Sequence, residues 1–408
     1  MRREKRYNSR FAGSLRALGL SASAAILLLS CVFAGSAVVA GDNADSAVAG
    51  QWDSLFGVAF GTTGTAFVVG AKGTLIESHN DGKSWKRKQL GDPVQLYDLY
   101  SVRFAPGGEV GWIVGEGGTI FRTKDGGGTW AKIPSPVKDS LFKVAVMNSD
   151  AACAVGANGT LLCTENGGST WTVNHFMDFA FFDVAFSPLG SAWAVGEYRT
   201  VVSSSDNGKH WQVQSGGKRI FTEPPNFAVA FNPSGDGIIV ALGPAIQQTQ
   251  NSGQSWASLT INETGQVYAA VANQGSAATK FWIAGSEGFL VDLDDGKTSR
   301  VPTGVAADIT DIGFSGDTGI AVGLGGTMVR LQRTDETWRV SANQVGISPA
   351  KQEVASDVRD RIAAQIRVRK TQSGTCSAGG MHDALGAQDV FQSLGASQKS
   401  YVGGSGPA

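Results

Sequence analysis

Two short signatures alternate along this chain seven times, and a seven-fold repeat of about 42 residues constrains the fold more than any other feature of the sequence. The first signature reads Val69-Gly70-Ala71-Lys72-Gly73-Thr74 and returns from Val114, Val155, Val195 and Val322, with weaker copies from Leu242 and Ala284. The second reads Ser78-x-Asn80-x-Gly82-x-Ser84-Trp85 and returns at Thr123–Trp130, Thr164–Trp171, Ser204–Trp211 and Thr249–Trp256. Two copies are decayed, at 292–299 and 333–338. From Trp85 the steps are 45, 41, 40, 45, 43 and 39 residues, so seven units fill 51–344. Each unit holds four strand-like runs between Gly and Asn/Asp turns; in the first they are Leu55–Phe60, Ala66–Gly70, Thr74–Ser78 and 84–90. Units of this size with four strands predict an all-β chain, a seven-bladed β-propeller with four-stranded blades.

The second signature has the chemistry of a tight turn. Its Asp or Asn oxygen can accept backbone N–H bonds, its glycine supplies the positive φ, and its Trp buries a ring against the adjoining sheet. A third repeat marks the innermost strand: Phe56-Gly57-Val58-Ala59-Phe60, then runs from Tyr100, Phe142, Phe182, Phe227, Tyr268 and Thr310. Simple alternation puts the aromatic residues and valine on one face and the small residues on the other, beside the crowded axis. Arg103, Lys143, Asp183 and Asp311 break that rule and are expected to line the central channel. Asp183 and Asp311 hold equivalent positions in the fourth and seventh blades, facing each other across the axis. They read as a channel pair balanced by Arg103 and Lys143 rather than as a pair of catalytic carboxylates.

The ends differ from the middle. Residues 1–16 carry six bases and one acid, and no charge follows between Arg16 and Asp42. A basic start, an apolar run and small residues at Val38-Val39-Ala40 read as a secretory signal over 1–40, with 41–50 as a linker. An uncleaved anchor and a lipidated Cys31 are the alternatives, and all three put the body outside the cytoplasm, in the periplasm or on the outer face of the inner membrane. Beyond residue 16 the chain has 28 bases and 34 acids, a net charge of −6 that suits nucleic acid poorly. Cys153 and Cys163 flank the turn at 156–159; they form either a disulfide across a hairpin or two small buried residues on neighbouring strands. No Cys/His pair has metal spacing, and neither cofactor nor metal is expected. Ser348-Pro349 opens an amphipathic helix within 345–371, and 372–408 reads as a disordered tail.

The Ser/Thr-x-Asp/Asn-x-Gly-x-Ser/Thr-Trp units resemble Asp-box repeats, also called bacterial neuraminidase repeats. With the Val-Gly-x-x-Gly-Thr strand in a seven-fold array, the chain resembles the photosystem II stability/assembly factor family of seven-bladed propellers, over about 295 of 408 residues. The resemblance implies a non-enzymatic lumenal or periplasmic assembly factor that binds an integral membrane protein or membrane complex. In photosynthetic members that partner is the newly made D1 subunit. A monomeric propeller without nucleic-acid binding is expected. The alternative is a glycan-directed propeller, sialidase-like or lectin-like. Sialidases need an arginine triad, however, and here only Arg103 sits on an inner strand; no Arg-Ile-Pro segment precedes the first signature, and Arg219-Ile220-Phe221 falls in the wrong blade.

Around the fourth blade, the loops opposite the signature turns are rich in aromatic, Met and basic residues, the composition of interface hot spots. The candidate partner-binding residues are Phe176 and Met177 on the entering link, Tyr198 and Arg199 on the turn, and Lys218, Arg219 and Phe221 on the leaving link. The competing reading tucks these rings under their loops as local core.

Overall fold

A computed structural model describes residues 53–344, apart from 63, 91–96, 177–178, 219, 221–222, 243–244, 262–266, 273–279, 295 and 335–336. The expected signal, linker, C-terminal helix and tail lie outside the described residues. Seven four-stranded antiparallel sheets form, each pairing its strands in chain order. The blades span 55–87, 99–132, 141–175, 181–215, 226–260, 267–300 and 309–344. Each inner strand contacts the inner strands of both neighbouring blades, and that of blade 7 contacts that of blade 1. The first three strands of blade 1 are Leu55–Phe60, Ala66–Gly70 and Thr74–Ser78, as the sequence predicts. The fourth is only Lys86–Arg87, not 84–90, because the Ser84 N–H is held in the turn by Asn80 and pairing beyond Arg87 shrinks to one bond, Lys88 N–H to Leu75 O.

The core lies between blades. Phe67, Val69 and Leu75 of blade 1 pack on Leu99, Val102 and Ile113 of blade 2, and a comparable cluster fills each later interface. Blade 7 takes all four strands from the C-terminal end of the repeat array, so no shared sheet closes the ring. Closure rests on Leu55, Val58 and Val68 against Ile320, Val322 and Met328, with hydrogen bonds from Thr310 Oγ1 to Leu55 O (2.8 Å) and Arg330 Nε to Asp81 O (2.7 Å).

The signature turns are built as their residue types dictate. In blade 2, Asp125 Oδ1 accepts the Thr129 N–H at 2.9 Å, Asp125 Oδ2 accepts the Thr129 hydroxyl at 2.7 Å, and Thr123 Oγ1 accepts the Gly127 N–H at 2.9 Å. The Trp that follows packs on the second strand of the preceding blade: Trp130 on Phe67, Trp171 on Trp112, Trp256 on Trp193 and Trp338 on Trp282, all edge-on at 5.5–5.9 Å. The signature glycine meets that same ring. A Cβ on Gly253 would lie 2.2 Å from Trp193 Cζ2, so positive φ and close approach both demand glycine. Blade 3 has Cys153 where these blades have rings. It faces Cys163 in register and is joined to it by a disulfide, over which Gly208 packs.

Simple alternation fails on the inner strands. Leu55 pairs with Gly70 and Gly57 with Val69, leaving Phe56 as an unpaired bulge residue. The same slip isolates Tyr100, Phe142, Phe182, Phe227, Tyr268 and Thr310. The first aromatic residue of the inner strand in blades 1–6 therefore leaves the valine face, while Phe60, Phe104, Phe186 and Phe231 stay on it beside their valines, and the small residues meet the next inner strand: a Cβ on Gly57 would come 3.1 Å from Ser101 Cα.

Candidate partner-binding face

Each bulge turns its residue out of the blade interface at the end where the second-to-third-strand turns and the links lie. Phe56 and Tyr100 pack there on Ala71 and Leu324, which open two of those turns. The rings touch in succession: Phe56–Tyr100 5.7 Å, Tyr100–Phe142 5.7 Å, Phe142–Phe182 6.4 Å, Phe182–Phe227 5.5 Å and Phe227–Tyr268 6.1 Å. Thr310 takes the seventh place and spends its hydroxyl on ring closure. Six inner strands thus present one aromatic collar on the link face. Sequence reasoning missed it because the bulge lies in strand pairing, although the recurring aromatic was visible.

Next along the inner strands come the charges. Asp311 Oδ2 and Oδ1 accept from Arg103 Nη1 and Nη2 at 2.8 and 2.9 Å, Oδ1 accepts from Lys143 Nζ at 3.1 Å, and Oδ2 accepts the Val58 N–H at 3.0 Å. Burial works against its charge, but Arg103 and Lys143 outweigh burial and hold the carboxyl at about 2. Asp311 in turn raises the pKa of Arg103 against the opposing effect of burial. Asp183 is buried and accepts the Val184 and Val229 N–H groups, both at 2.9 Å. Burial pushes its pKa up, against the pull of Lys143 and Arg103. Three of the four expected channel residues are therefore directly joined. Asp183 belongs to the same electrostatic group but bridges blades 4 and 5, as Asp311 bridges blades 7 and 1.

Blade 4 carries the unusual turn. In the corresponding turns of blades 1, 2, 3, 6 and 7, two successive residues are left-handed and the second is glycine: Gly73, Gly118, Gly159, Gly288 and Gly326. In blade 4 the pair is Tyr198 (φ 55°) and Arg199 (φ 52°). A side chain there costs roughly 1–2 kcal/mol. Room for it comes from Gly216 on the leaving link, whose Cβ would sit 2.6 Å from the Arg199 carbonyl carbon. The Arg199 N–H donates to Pro224 O at 3.2 Å, and its guanidinium lies 3.9 Å from Glu223. Buried Glu197 braces the turn by accepting the Ala180 N–H at 3.0 Å.

The Tyr198 ring stands edge-on to Phe179 at 5.5 Å, and Phe176 lies 6.4 Å from Phe181; both rings join the blade 3–4 core while staying half-exposed. Lys218 is exposed, and beside it Ile220 is 47% exposed, a residue outside the expected set. Met177, Arg219 and Phe221 lie outside the described residues.

Residues 48–174 match the family model described as photosynthesis system II assembly factor YCF48. A 71-residue stretch is 32% identical to photosystem II stability/assembly factor HCF136, chloroplastic, of Oryza sativa subsp. japonica, spanning 17% of each chain. Among solved structures, YCF48 bound to D1 peptide superposes with a TM-score of 0.56 at 22% identity, covering 69% of this chain and 94% of that one. YCF48 from Cyanidioschyzon merolae gives 0.55 at 18%, covering 68% and 95%. An ancestral GH74 enzyme gives 0.57 at 13%, covering 72% of this chain and 47% of that one. The chain is a seven-bladed propeller similar to the photosystem II assembly factors.

Proposed function

We propose that this chain is an exported, non-enzymatic assembly or stability factor that holds a segment of an integral membrane protein on its link face, between the aromatic collar and the blade 4 turn. The observation that carries the reading is Arg199, a charged residue at a left-handed position that five other blades give to glycine. Lys72, Asn158 and Glu287 show that a side chain is tolerated at the first left-handed position, but a second one in succession adds strain that marks the blade 4 turn as selected for something other than stability. The adjoining Tyr198, Phe176, Lys218 and Ile220 supply the aromatic, basic and apolar contacts of a docking site. The similarity to assembly factors supplies the class of partner, and the apolar run before Ala40 supports export.

The chemistry of the carboxylates supports the non-enzymatic reading. Glycoside hydrolysis needs two carboxyl groups flanking a substrate bond. Asp311 is 1% exposed and occupied by Arg103, Lys143 and Val58, while Asp183 is 5% exposed and bonded to two backbone N–H groups. Affinity capture from detergent-solubilised membranes tests the proposal. An integral membrane protein should accompany the wild type in near-equal amount and be lost with Arg199→Glu plus Lys218→Glu, two side chains outside the core, while thermal unfolding stays unchanged. Equal capture by the variant would overturn the assignment of the face.

A further inference from the structure

Blades 2 and 7 place an arginine at the same register on their third strands, Arg122 opposite Trp112 and Arg330 opposite Ile320. Both reach to the signature turn of the next blade. Arg330 Nε donates to Asp81 O at 2.7 Å, Nη1 to Ser341 Oγ at 2.9 Å and Nη2 to Gln332 Oε1 at 3.0 Å, so each nitrogen has an acceptor. Arg122 Nη1 donates to Gly167 O at 3.0 Å and Nη2 to Ser149 O at 2.7 Å, but its buried Nε has no acceptor. Its side chain is 9% exposed, lies 5.1 Å over the Trp112 ring, and has Asp150 at 3.9 Å, itself 64% exposed, as its ion-pair partner. Burial lowers its pKa, and Asp150 offsets that only in part. A guanidinium this deep with so little counter-charge is costly to keep.

The difference follows from the outer strands. That of blade 7 runs eight residues, Thr337–Gln344, and brings Ser341 to Arg330. That of blade 2 is Ala131–Lys132, followed by Pro134-Ser135-Pro136, where two of three residues lack an N–H to extend the ladder. An open cleft of about 810 Å³ is left between blade 2 and the signature turn of blade 3, against about 240 Å³ at the equivalent place between blades 7 and 1. Ile133, Pro134, Pro136 and Trp171 form its apolar wall, Arg122 and exposed Lys124 supply its charge, and among the described residues no carboxylate lines it.

We propose that this cleft docks an extended acidic segment of a protein partner, whose carboxylate compensates Arg122 and Lys124 while its apolar atoms lie on the Pro134–Trp171 wall. Two prolines, an indole and a cation along an open groove are suited to an extended main chain rather than to a compact small molecule. The site is separate from the blade 4 turn and does not depend on what binds there.

Fluorescence anisotropy on the full chain tests it, with a fluorescein-labelled peptide alternating Glu and Pro, its Gln–Pro counterpart, and a sulfated oligosaccharide as competitor class. The Glu peptide should bind saturably, more weakly as salt rises, and the Gln peptide should not. Lys124→Glu and Arg122→Met should each weaken binding by about tenfold or more, whereas Arg330→Met, at the equivalent arginine of blade 7, leaves it unchanged. Should Arg122→Met disturb folding, Lys124→Glu decides, since Lys124 is exposed. The proposal falls if the Glu peptide shows no saturable binding up to about 1 mM. It also falls if Lys124→Glu binds as wild type does, or if only the oligosaccharide binds.

Discussion

Arg103 on the inner strand of blade 2 donates both Nη groups to Asp311 of blade 7, at 2.8 and 2.9 Å, reaching past blade 1. The same Nη1 donates to Val58 O at 3.0 Å, and Asp311 accepts the Val58 N–H, so the pair clamps blade 1 from both sides. This matters because no strand is shared between the first and last blades. Asp311→Asn keeps the shape but leaves Arg103 and Lys143 buried without a full counter-charge. It should cost about 3–5 kcal/mol in denaturant unfolding. Asp183→Asn, which removes no direct ion pair, should cost clearly less. Equal losses would mean that the clamp does not hold the ring.

The two aspartates also give opposite pH dependences. Asp311 titrates at about 2 in the folded chain, below the ordinary value near 3.9, so its contribution is full above about pH 4 and is lost as pH falls through about 2. Asp183 is raised, so its contribution is present below about pH 4 and is lost as pH rises through its folded value. Urea midpoints should therefore increase on mild acidification from neutrality and fall below about pH 4. Asp183→Asn should abolish the increase and keep the fall. Asp125 is also held at about 2, chiefly by the Thr123 hydroxyl and the Thr129 N–H, but as an exposed group it adds little to the acid limb.

The signature glycines should separate into two classes. At Gly253 (φ 89°) a Cβ would press into Trp193, so Gly253→Ala combines strain with overpacking, at about 2–4 kcal/mol. Gly296 in the decayed sixth turn (φ 77°) has Leu259 Cδ1 3.6 Å away, and Gly296→Ala should cost only the strain, about 1 kcal/mol. Thermal unfolding of the two variants side by side checks the order.

The propeller was legible because its signals are local and repeated: a Gly or Asp/Asn that fixes a turn, and a Trp that follows at a fixed step. What escaped was non-local. The bulges at Phe56 and its six equivalents exist only in the pairing of first and second strands, so alternation misplaces the first aromatic residue of the inner strand in blades 1–6 while placing Phe60, Phe104, Phe186 and Phe231 correctly beside valine. Arg103 and Lys143 were identified as partners of the aspartates because both break the small-residue rule. The sequence could not tell that Asp311 is the one they hold, since Asp183 occupies the same place in its own repeat. Arg199 was visible as a basic residue on a loop. That it stands at a glycine position emerges only when the left-handed pairs of the other blades are set beside it.

The Cys153–Cys163 bridge depended on register, and the strands place the two residues opposite each other. It closes a separation of 10 residues, so reduction should lower stability by about 2–3 kcal/mol. Replacing both cysteines with Ala should cost more than reduction, because Gly208 then packs over empty space where the sulfur of Cys163 lay. Denaturant unfolding of the reduced protein and of the double variant, compared with the oxidised protein, gives the two costs.

Arg199→Gly separates stability from binding most cleanly. Five blades show that glycine fits this turn, and the Arg199 N–H bond to Pro224 O is made by the backbone, so the variant keeps it. Relief of the left-handed strain should raise stability by up to about 1 kcal/mol, reduced by the greater freedom of glycine in the unfolded chain. The nearby Glu223, 41% exposed and 3.9 Å away, gives back little when the ion pair goes. If the turn is kept strained for a partner, the same variant should capture less of it. A chain that is no less stable yet loses its partner supports the link-face reading; one that loses stability and keeps its partner shows that Arg199 serves the fold.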